Sequence, residues 1–339
     1  MRLIVSSVVL VVACTLPARA PAVERFEFDR REMGMSFRIA LYAESKEVAN
    51  RAAEAAYARI HELNAIFSDY EPESELMRLS RTSGQGKKVP VSPDMLTLLL
   101  RSQEFSRLSD GAFDITVGPA VQLWRKSRRT RKLPDEESLK QARAAIGYRN
   151  VVIDAERRTV ELLKPKMRLD AGGIAAGYAV DQALLVLKKH GVASAMIDGS
   201  GDIAVSAAPP GKKGWRIGIA PLEQNAAPSH FVTLENAAIS TAGDAWQFVE
   251  IAGVRYSHIV DPRTALGLTT RCGITVIAPT CTTADGLDTA LCGMPIDRAL
   301  KLVEDTPGAA AVIVTVKNGK AESRLSNRLK DCHLEPATE

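Results

Sequence analysis

The sequence predicts a mixed α/β (α+β) protein, on three observations. Apolar residues alternate strictly at Phe37, Ile39 and Leu41, which is the period of a half-buried strand. After Ser45, Val48, Ala52, Ala55, Ala56, Ile60 and Leu63 recur at helical spacing. Short apolar runs also come in pairs across polar or glycine turns, as hairpins do. A chain of 339 residues, 46% hydrophobic and 25% charged, can bury a large core as one big domain or two closely packed ones. Its net charge of +4 gives no global reason to expect nucleic acid as a partner.

The N-terminus reads as a leader, residues 1–20, ahead of a mature domain over 21–339. Arg2 precedes an apolar run from Leu3 to Ala13, too short to span a bilayer but suited to the core of a signal peptide. Val11-Val12-Ala13-Cys14 resembles a bacterial lipobox, which would leave a lipidated Cys14 and a membrane anchor. Ala18-Arg19-Ala20 resembles a small-residue cleavage site, with Pro21 disfavouring that cut. Both exits imply export. In an oxidising compartment Cys272, Cys281, Cys292 and Cys332 would be able to form two bridges, with three connectivities open.

In chain order, Met35 to Ala43 is a strand, and Ser45 caps the helix that follows. His61 reads as a surface or packed histidine. Phe67 to Leu76 is a polar segment turned by Pro72, and Ser92-Pro93-Asp94 starts a helix whose buried face is Met95, Leu98, Leu99, Phe105 and Leu108. Gly111 to Pro119 follows, with Asp114 set between apolar residues where a carboxylate needs a partner or a job. The basic run Arg125 to Lys132 reads first as a solvated loop, and second as a docking site for an acidic partner or membrane surface. Leu139, Ala142 and Ile146 mark a helix closed by Gly147; Val151–Ile153 and Thr159–Leu163 form a hairpin.

Arg168 to Tyr178 carries Gly172, Gly173 and Gly177 into a helix that Gly191 ends. A glycine-rich turn at a helix N-terminus can bring backbone N–H groups to a phosphate. It is not a Walker loop, because no Gly-Lys-Ser or Gly-Lys-Thr follows. Asp198-Gly199-Ser200-Gly201-Asp202 begins like a dinucleotide fingerprint, but Ile203-Ala204-Val205 continues it as strand, so the Rossmann reading fails. A hairpin from Trp246 to Val260 delivers His258 to a strand end ahead of Asp261-Pro262, where catalytic groups often sit, although a hydrogen-bonded structural histidine is the plainer alternative. Gly273 to Ala278 is a strand, Pro295 to Val303 a helix, Ala309 to Val316 a strand, and the tail from residue 318 is expected to be peripheral.

Between that last strand pair lies Cys281 to Gly293. If it is helical, Asp285, Asp288 and Thr289 share one face at i, i+3 and i+4. Two carboxylates and a hydroxyl suit Mg²⁺ or Ca²⁺, and Mg²⁺ fills its remaining positions with water and substrate phosphate. Capping of a helix start by threonine and aspartate is the alternative.

Seven ordered segments, Phe67 to Glu75, Gly111 to Trp124, Leu169 to Asp181, Asp198 to Asp202, Ser240 to Asp244, His258 to Thr264 and Ala284 to Ala290, together resemble the ApbE family of FAD:protein FMN transferases. The resemblance covers nearly all of the mature chain. It implies a two-lobed catalytic domain of ApbE, T-fold-like type with FAD in the cleft. It also implies an exported, periplasmic enzyme that uses FAD and Mg²⁺ to attach FMN to a threonine or serine of a flavoprotein, such as a subunit of the sodium-translocating quinone reductase (Nqr) or Rnf type. Matched to the family's motifs, Met33, Tyr70, Ala112, Phe113, Asp114, Asp170, Ala176 and Ile259 fall where FAD is contacted. The Gly173 carbonyl, Asp285, Asp288 and Thr289 fall at the metal. His258, in the Ser-His-Ile motif, is the candidate base, since removing a proton from a hydroxyl calls for a group of near-neutral pKa.

Three positions depart from the family pattern. Ala176 replaces a common lysine, Thr264-Ala265 replaces Thr-Gly, and Ser240-Thr241-Ala242-Gly243 varies Thr-Ser-Gly. They bear on affinity and rate and leave the metal residues intact. A Mg²⁺-dependent FAD pyrophosphatase or a non-catalytic flavin-binding lipoprotein would share most of these features. A role as a flavinylated acceptor is disfavoured, because the chain has no Asp-Gly-x-Thr-Gly motif.

Overall fold

The computed structural model describes residues 23–336, apart from 220–221, 223–225, 229, 246, 318 and 333. The leader, including Cys14, and Trp246 therefore lie outside the described residues. The chain opens with a hairpin of β1 (Glu24–Glu32) and β2 (Met35–Ala43), whose turn residues Met33 and Gly34 both have positive φ, 50° and 77°. α1 (Lys46–Phe67) starts at Ser45, whose hydroxyl accepts from Val48 N, and it buries a stripe of alanines with Tyr57, Ile60 and Leu63. α2 (Glu75–Ser80), β3 (Val89–Pro90), α3 (Pro93–Leu108), α4 (Gly118–Thr130) and α5 (Glu136–Ala145) follow. β4 (Val151–Asp154) and β5 (Thr159–Leu162) pair as the expected hairpin and add β3 at one edge.

α6 (Ala175–Lys189) then leads to the hairpin of β6 (Ala195–Gly199) and β7 (Asp202–Val205), with Ser200 and Gly201 at φ 58° and 110° in its turn. β8 (Trp215–Gly218) and β9 (His230–Leu234) pair with each other, and β10 (Ala237–Gly243) returns to the main sheet. Two small ribbons come next, β11 (Phe248–Ile251) with β12 (Val254–Ser257), and β13 (Val260–Asp261) with β14 (Leu266–Gly267). The chain closes with β15 (Cys272–Ala278), α7 (Cys281–Cys292), α8 (Ile296–Asp305), β16 (Ala310–Lys317), β17 (Lys320–Leu325) and β18 (Glu335–Pro336).

The main sheet has eight strands in the order β1-β2-β6-β7-β10-β15-β16-β17, and every neighbouring pair is antiparallel. Because side chains alternate across a strand, Ile39 and Leu41 enter the large core with α1, α6 and α7, while Ala40 enters a smaller core on the opposite face with Trp215, Val232 and Ile277. A third cluster joins α4 and α5 to the ribbons through Trp124, Leu139, Val249, Tyr256 and Val260. A cleft opens where this third cluster meets the large core.

Three expectations are corrected. Most of the basic run, Arg125 to Thr130, is the C-terminal half of α4, with Trp124 and Ser127 buried beneath it, so it is helix and not loop; Arg131 caps the helix and Lys132 follows it. The tail is not peripheral: β17 extends the main sheet, Leu329 is 1% exposed in the smaller core, and β18 pairs with β9. Cys272, Cys281 and Cys292 are buried free thiols, so no bridge joins any two of these three. Cys281 and Cys292 sit at opposite ends of α7, and the Cys292 thiol is raised well above its ordinary pKa first by a hydrogen bond with Cys272 and then by burial.

Candidate active site

α6 and α7 cross at a point that only glycine permits. A Cβ on Gly177 would lie 2.5 Å from Cys281 O and 2.8 Å from Asp285 Cβ. With no side chain there, Gly177 N donates to Asp285 Oδ2 at 2.8 Å. Asp181, one turn further along α6, accepts from Cys281 N, Thr282 N and Thr282 Oγ1, which satisfies donors of the first turn of α7. The N-cap of α7 is Thr280. Asp285 and Asp288 are therefore not caps, and both are almost fully buried, at 5% and 1% exposure.

Asp288 points toward the sheet. Its Oδ2 accepts from Ser240 Oγ on β10, and the same hydroxyl touches Asp202 Oδ1 on β7. The other oxygen, Asp288 Oδ1, is buried with no hydrogen-bond partner among the described residues. Asp285 and Asp288 are both raised well above the usual carboxylate range, first by burial and next by the charge of Asp202. Asp202 is itself pushed up to about 6, mainly by burial. Packed carboxylates without a basic side chain hydrogen-bonded to them are costly unless protonated or neutralised by a cation.

Thr289, the next residue, faces the glycine turn. A Cβ on Gly173 would lie 2.8 Å from Thr289 Cγ2 and 3.0 Å from its Oγ1, so backbone and hydroxyl meet. Among the described residues no group of three or more His, Cys, Asp or Glu side chains forms a metal cluster. A hard cation here would depend on backbone and hydroxyl oxygens beside the two carboxylates. The unpartnered Asp288 Oδ1 and the raised carboxyl pKa values fit such an ion.

The adjoining cleft is lined by Tyr70, Ala112, Phe113, Asp114, Asp170, Gly173, His258, Ile259 and Thr289, together with Trp124, Arg125 and Arg128 of α4. His258 is held from two sides. Trp124 Nε1 donates to Ser257 O at 3.0 Å, and His258 N donates to Gln247 O at 3.0 Å. The His258 Nδ1 atom also lies 3.2 Å from Gln247 O. A carbonyl oxygen only accepts, so Nδ1 carries the proton and Nε2 keeps a free lone pair. Burial, and also the charge of Arg128, lowers the His258 pKa, while the Gln247 carbonyl raises it.

Asp114 has found its partners: its carboxylate accepts from Thr116 N and Oγ1 and from Tyr148 N, so it fastens the cleft wall to the turn after α5. Asp170 Oδ1 accepts from Gly172 N, and its Oδ2 lies 3.6 Å from Arg125, which also binds Asp69 and stacks on Tyr70. Two N–H groups of the glycine turn, at Gly172 and Gly177, are thus committed to carboxylates and are not free for a phosphate. Met33, in the β1–β2 turn, and Ala176, buried in the first turn of α6, are not among the cleft-lining residues. Asp181, Asp202 and Ser240 belong to the site although no motif or local spacing in the sequence marks them as site residues. Asp202 does stand in the second glycine cluster, but its neighbourhood to Ser240 and Asp288 depends on sheet order.

A sequence profile of the ApbE family matches residues 33–314. The FAD:protein FMN transferase of Haemophilus influenzae is 28% identical over 329 residues, covering 94% of this chain and 95% of the relative. That of Salmonella typhimurium is 30% identical over 281 residues, 80% of this chain and 79% of the relative. Among solved structures, the flavin transferase ApbE from Vibrio cholerae superposes with a TM-score of 0.81 at 27% identity, covering 92% of this chain and all of that one. The ApbE protein of Thermotoga maritima gives 0.82 at 29% identity with the same coverage. With the profile spanning most of its length and both solved folds matched from end to end, the chain belongs to the ApbE family.

Proposed function

We propose that the protein is an FAD:protein FMN transferase. FAD is the substrate, and the FMN half is transferred to a threonine or serine hydroxyl of an acceptor flavoprotein, with AMP released. The acceptor oxygen forms a bond to the phosphorus that carries riboflavin; the bond from that phosphorus to the bridging oxygen breaks, and the bridging oxygen leaves with AMP. The observation that carries this reading is that His258, its Nδ1 committed to the Gln247 carbonyl, lines the same cleft as the Gly173–Thr289 contact.

His258 Nε2 takes the acceptor proton, because its lowered pKa keeps it neutral at physiological pH. Tyr70, Phe113 and Ile259 supply apolar surface for a flavin ring. Asp285, Asp288, Thr289 and the Gly173 carbonyl would hold Mg²⁺, which when bound offsets pyrophosphate charge. Export, as a cleaved or Cys14-anchored periplasmic protein at the inner membrane, accords with the leader and would bring the enzyme to membrane redox subunits of the Nqr or Rnf type.

The test incubates the protein with FAD, Mg²⁺ and such a subunit and weighs the subunit. A mass gain of one FMN, lost with Asp285→Ala, is the expected result. Free FMN and AMP with an unmodified subunit would make the protein a pyrophosphatase. Intact FAD, with or without chelator, would end both readings.

A further inference from the structure

Arg129 and Arg131, at the C-terminal end of α4, are not used by the chemistry above. Arg125, Arg128 and Arg129 stand at i, i+3 and i+4 on one face, and Arg131 follows at the C-cap with φ 53°. Across a groove they face Phe248, Val249 and Glu250 of β11. Arg125 and Arg128 line both this groove and the cleft that holds His258, so the two spaces join. Arg125 is neutralised by Asp69 at 2.5 Å. Arg128, Arg129 and Arg131 have no ion pair among the described residues, although Glu250 lines the same groove. Like charges at helical spacing repel one another, and an anion seated between them relieves that cost.

The opposite wall is equally unfinished. β11 has β12 as its single strand partner among the described residues, so its second edge carries backbone groups outside any ladder. Phe248, 37% exposed, offers an apolar platform under the Arg255 guanidinium, 3.3 Å from its ring centroid.

We infer that this groove seats the acceptor protein as an extended, acidic segment, laid between the edge of β11 and the arginines of α4, so that its hydroxyl enters the cleft at His258. The inference rests on the transferase reading. A strand edge pairs with a polypeptide backbone, the arginines select carboxylates beside the acceptor hydroxyl, and the junction with the cleft fixes how far the segment reaches. An anionic membrane is the weaker occupant, because a bilayer surface does not enter a groove or pair with a strand edge.

The test uses the double variant Arg129→Glu, Arg131→Glu, since neither residue lines the cleft. FMN transfer to an Nqr- or Rnf-type subunit is followed, alongside binding of a labelled peptide with threonine flanked by aspartate and glutamate. The expected result is a KM for the subunit raised ~10-fold or more, with kcat at saturation and FAD affinity unchanged. The wild-type KM should rise with salt, and the peptide should bind wild type but not the variant. An unchanged KM for the subunit, a loss confined to FAD affinity, or a loss only of binding to phosphatidylglycerol vesicles overturns the inference. If wild type transfers no FMN yet binds the acidic peptide in an Arg129- and Arg131-dependent way, the transferase reading falls and the docking surface stands.

Discussion

Ser240 Oγ lies within hydrogen-bond distance of Asp288 Oδ2 and of Asp202 Oδ1 at once. A hydroxyl has one hydrogen to give, so it donates to one carboxylate, and the second contact is favourable only if that carboxyl is protonated and donates back. Burial supplies the protonation: Asp202 rises from 3.8 to about 6, and Asp288 rises well above 3.8. The three residues form a proton-holding unit in the absence of a cation, and ion binding has to displace that proton.

The first prediction concerns pH. A carboxyl whose folded pKa is raised binds protons more tightly in the folded state than in the unfolded one. Its stabilisation is full below the unfolded value of 3.8 and lost as pH rises through about 6. Chelated protein should therefore lose on the order of 2 kcal/mol between pH 4 and pH 7 from this unit. Asp202→Asn should flatten that slope, and Mg²⁺ should restore stability at pH 7. Chemical denaturation across this range, with and without chelator, checks it. Equal slopes for wild type and Asp202→Asn would refute it.

The second concerns the helix crossing. Gly177→Ala places a methyl 2.5 Å from Cys281 O, a backbone atom that cannot swing aside. α6 and α7 must part and the bond from Gly177 N to Asp285 is lost, at a cost of about 2–3 kcal/mol. A lowered Tm together with weakened Mg²⁺ binding is expected from melting curves and titration calorimetry. Unaltered values of both would mean that the crossing is looser than the contacts indicate.

The carboxylate helix was legible because Asp285, Asp288 and Thr289 repeat at the helical period, and α1 and α3 because Ser45 and Ser92 are good caps ahead of regular apolar stripes. α4 was not, since its buried positions Ala120, Trp124 and Ser127 include a small and a polar residue amid four arginines and lysines that read as solvated. β17 is exposed along its whole length and so has no apolar alternation to detect. Ser240 and Asp202 escaped for another reason. Their meeting requires β7 beside β10 in the register Ile239↔Ile203, a non-local pairing that no local period encodes.

The third prediction concerns Asp181. Its carboxylate accepts three hydrogen bonds from the first turn of α7 while burial raises its pKa. Asp181→Ala leaves those donors unsatisfied and should cost about 2 kcal/mol. Asp181→Asn keeps one acceptor oxygen and should cost about half as much. Urea denaturation of the two variants distinguishes them, and equal losses would show that the site rather than the cap is at work.

The fourth concerns His258. Nδ1 is committed to the Gln247 carbonyl, so Nε2 is the nitrogen available to a substrate proton. His258→Ala should leave FAD affinity near wild type and slow FMN transfer by roughly 10²–10⁴-fold. Because burial lowers its pKa from 6.5, the neutral base persists into mildly acid solution, and the acid limb of kcat/KM should fall below pH 6.5. Protonation below that limb removes the lone pair and the rate together. The raised carboxyls could produce an acid limb of their own by expelling Mg²⁺, so the profile has to be measured at saturating metal. A limb that persists in His258→Ala then belongs to the carboxyl unit, whereas a residual rate independent of pH assigns the wild-type limb to the imidazole.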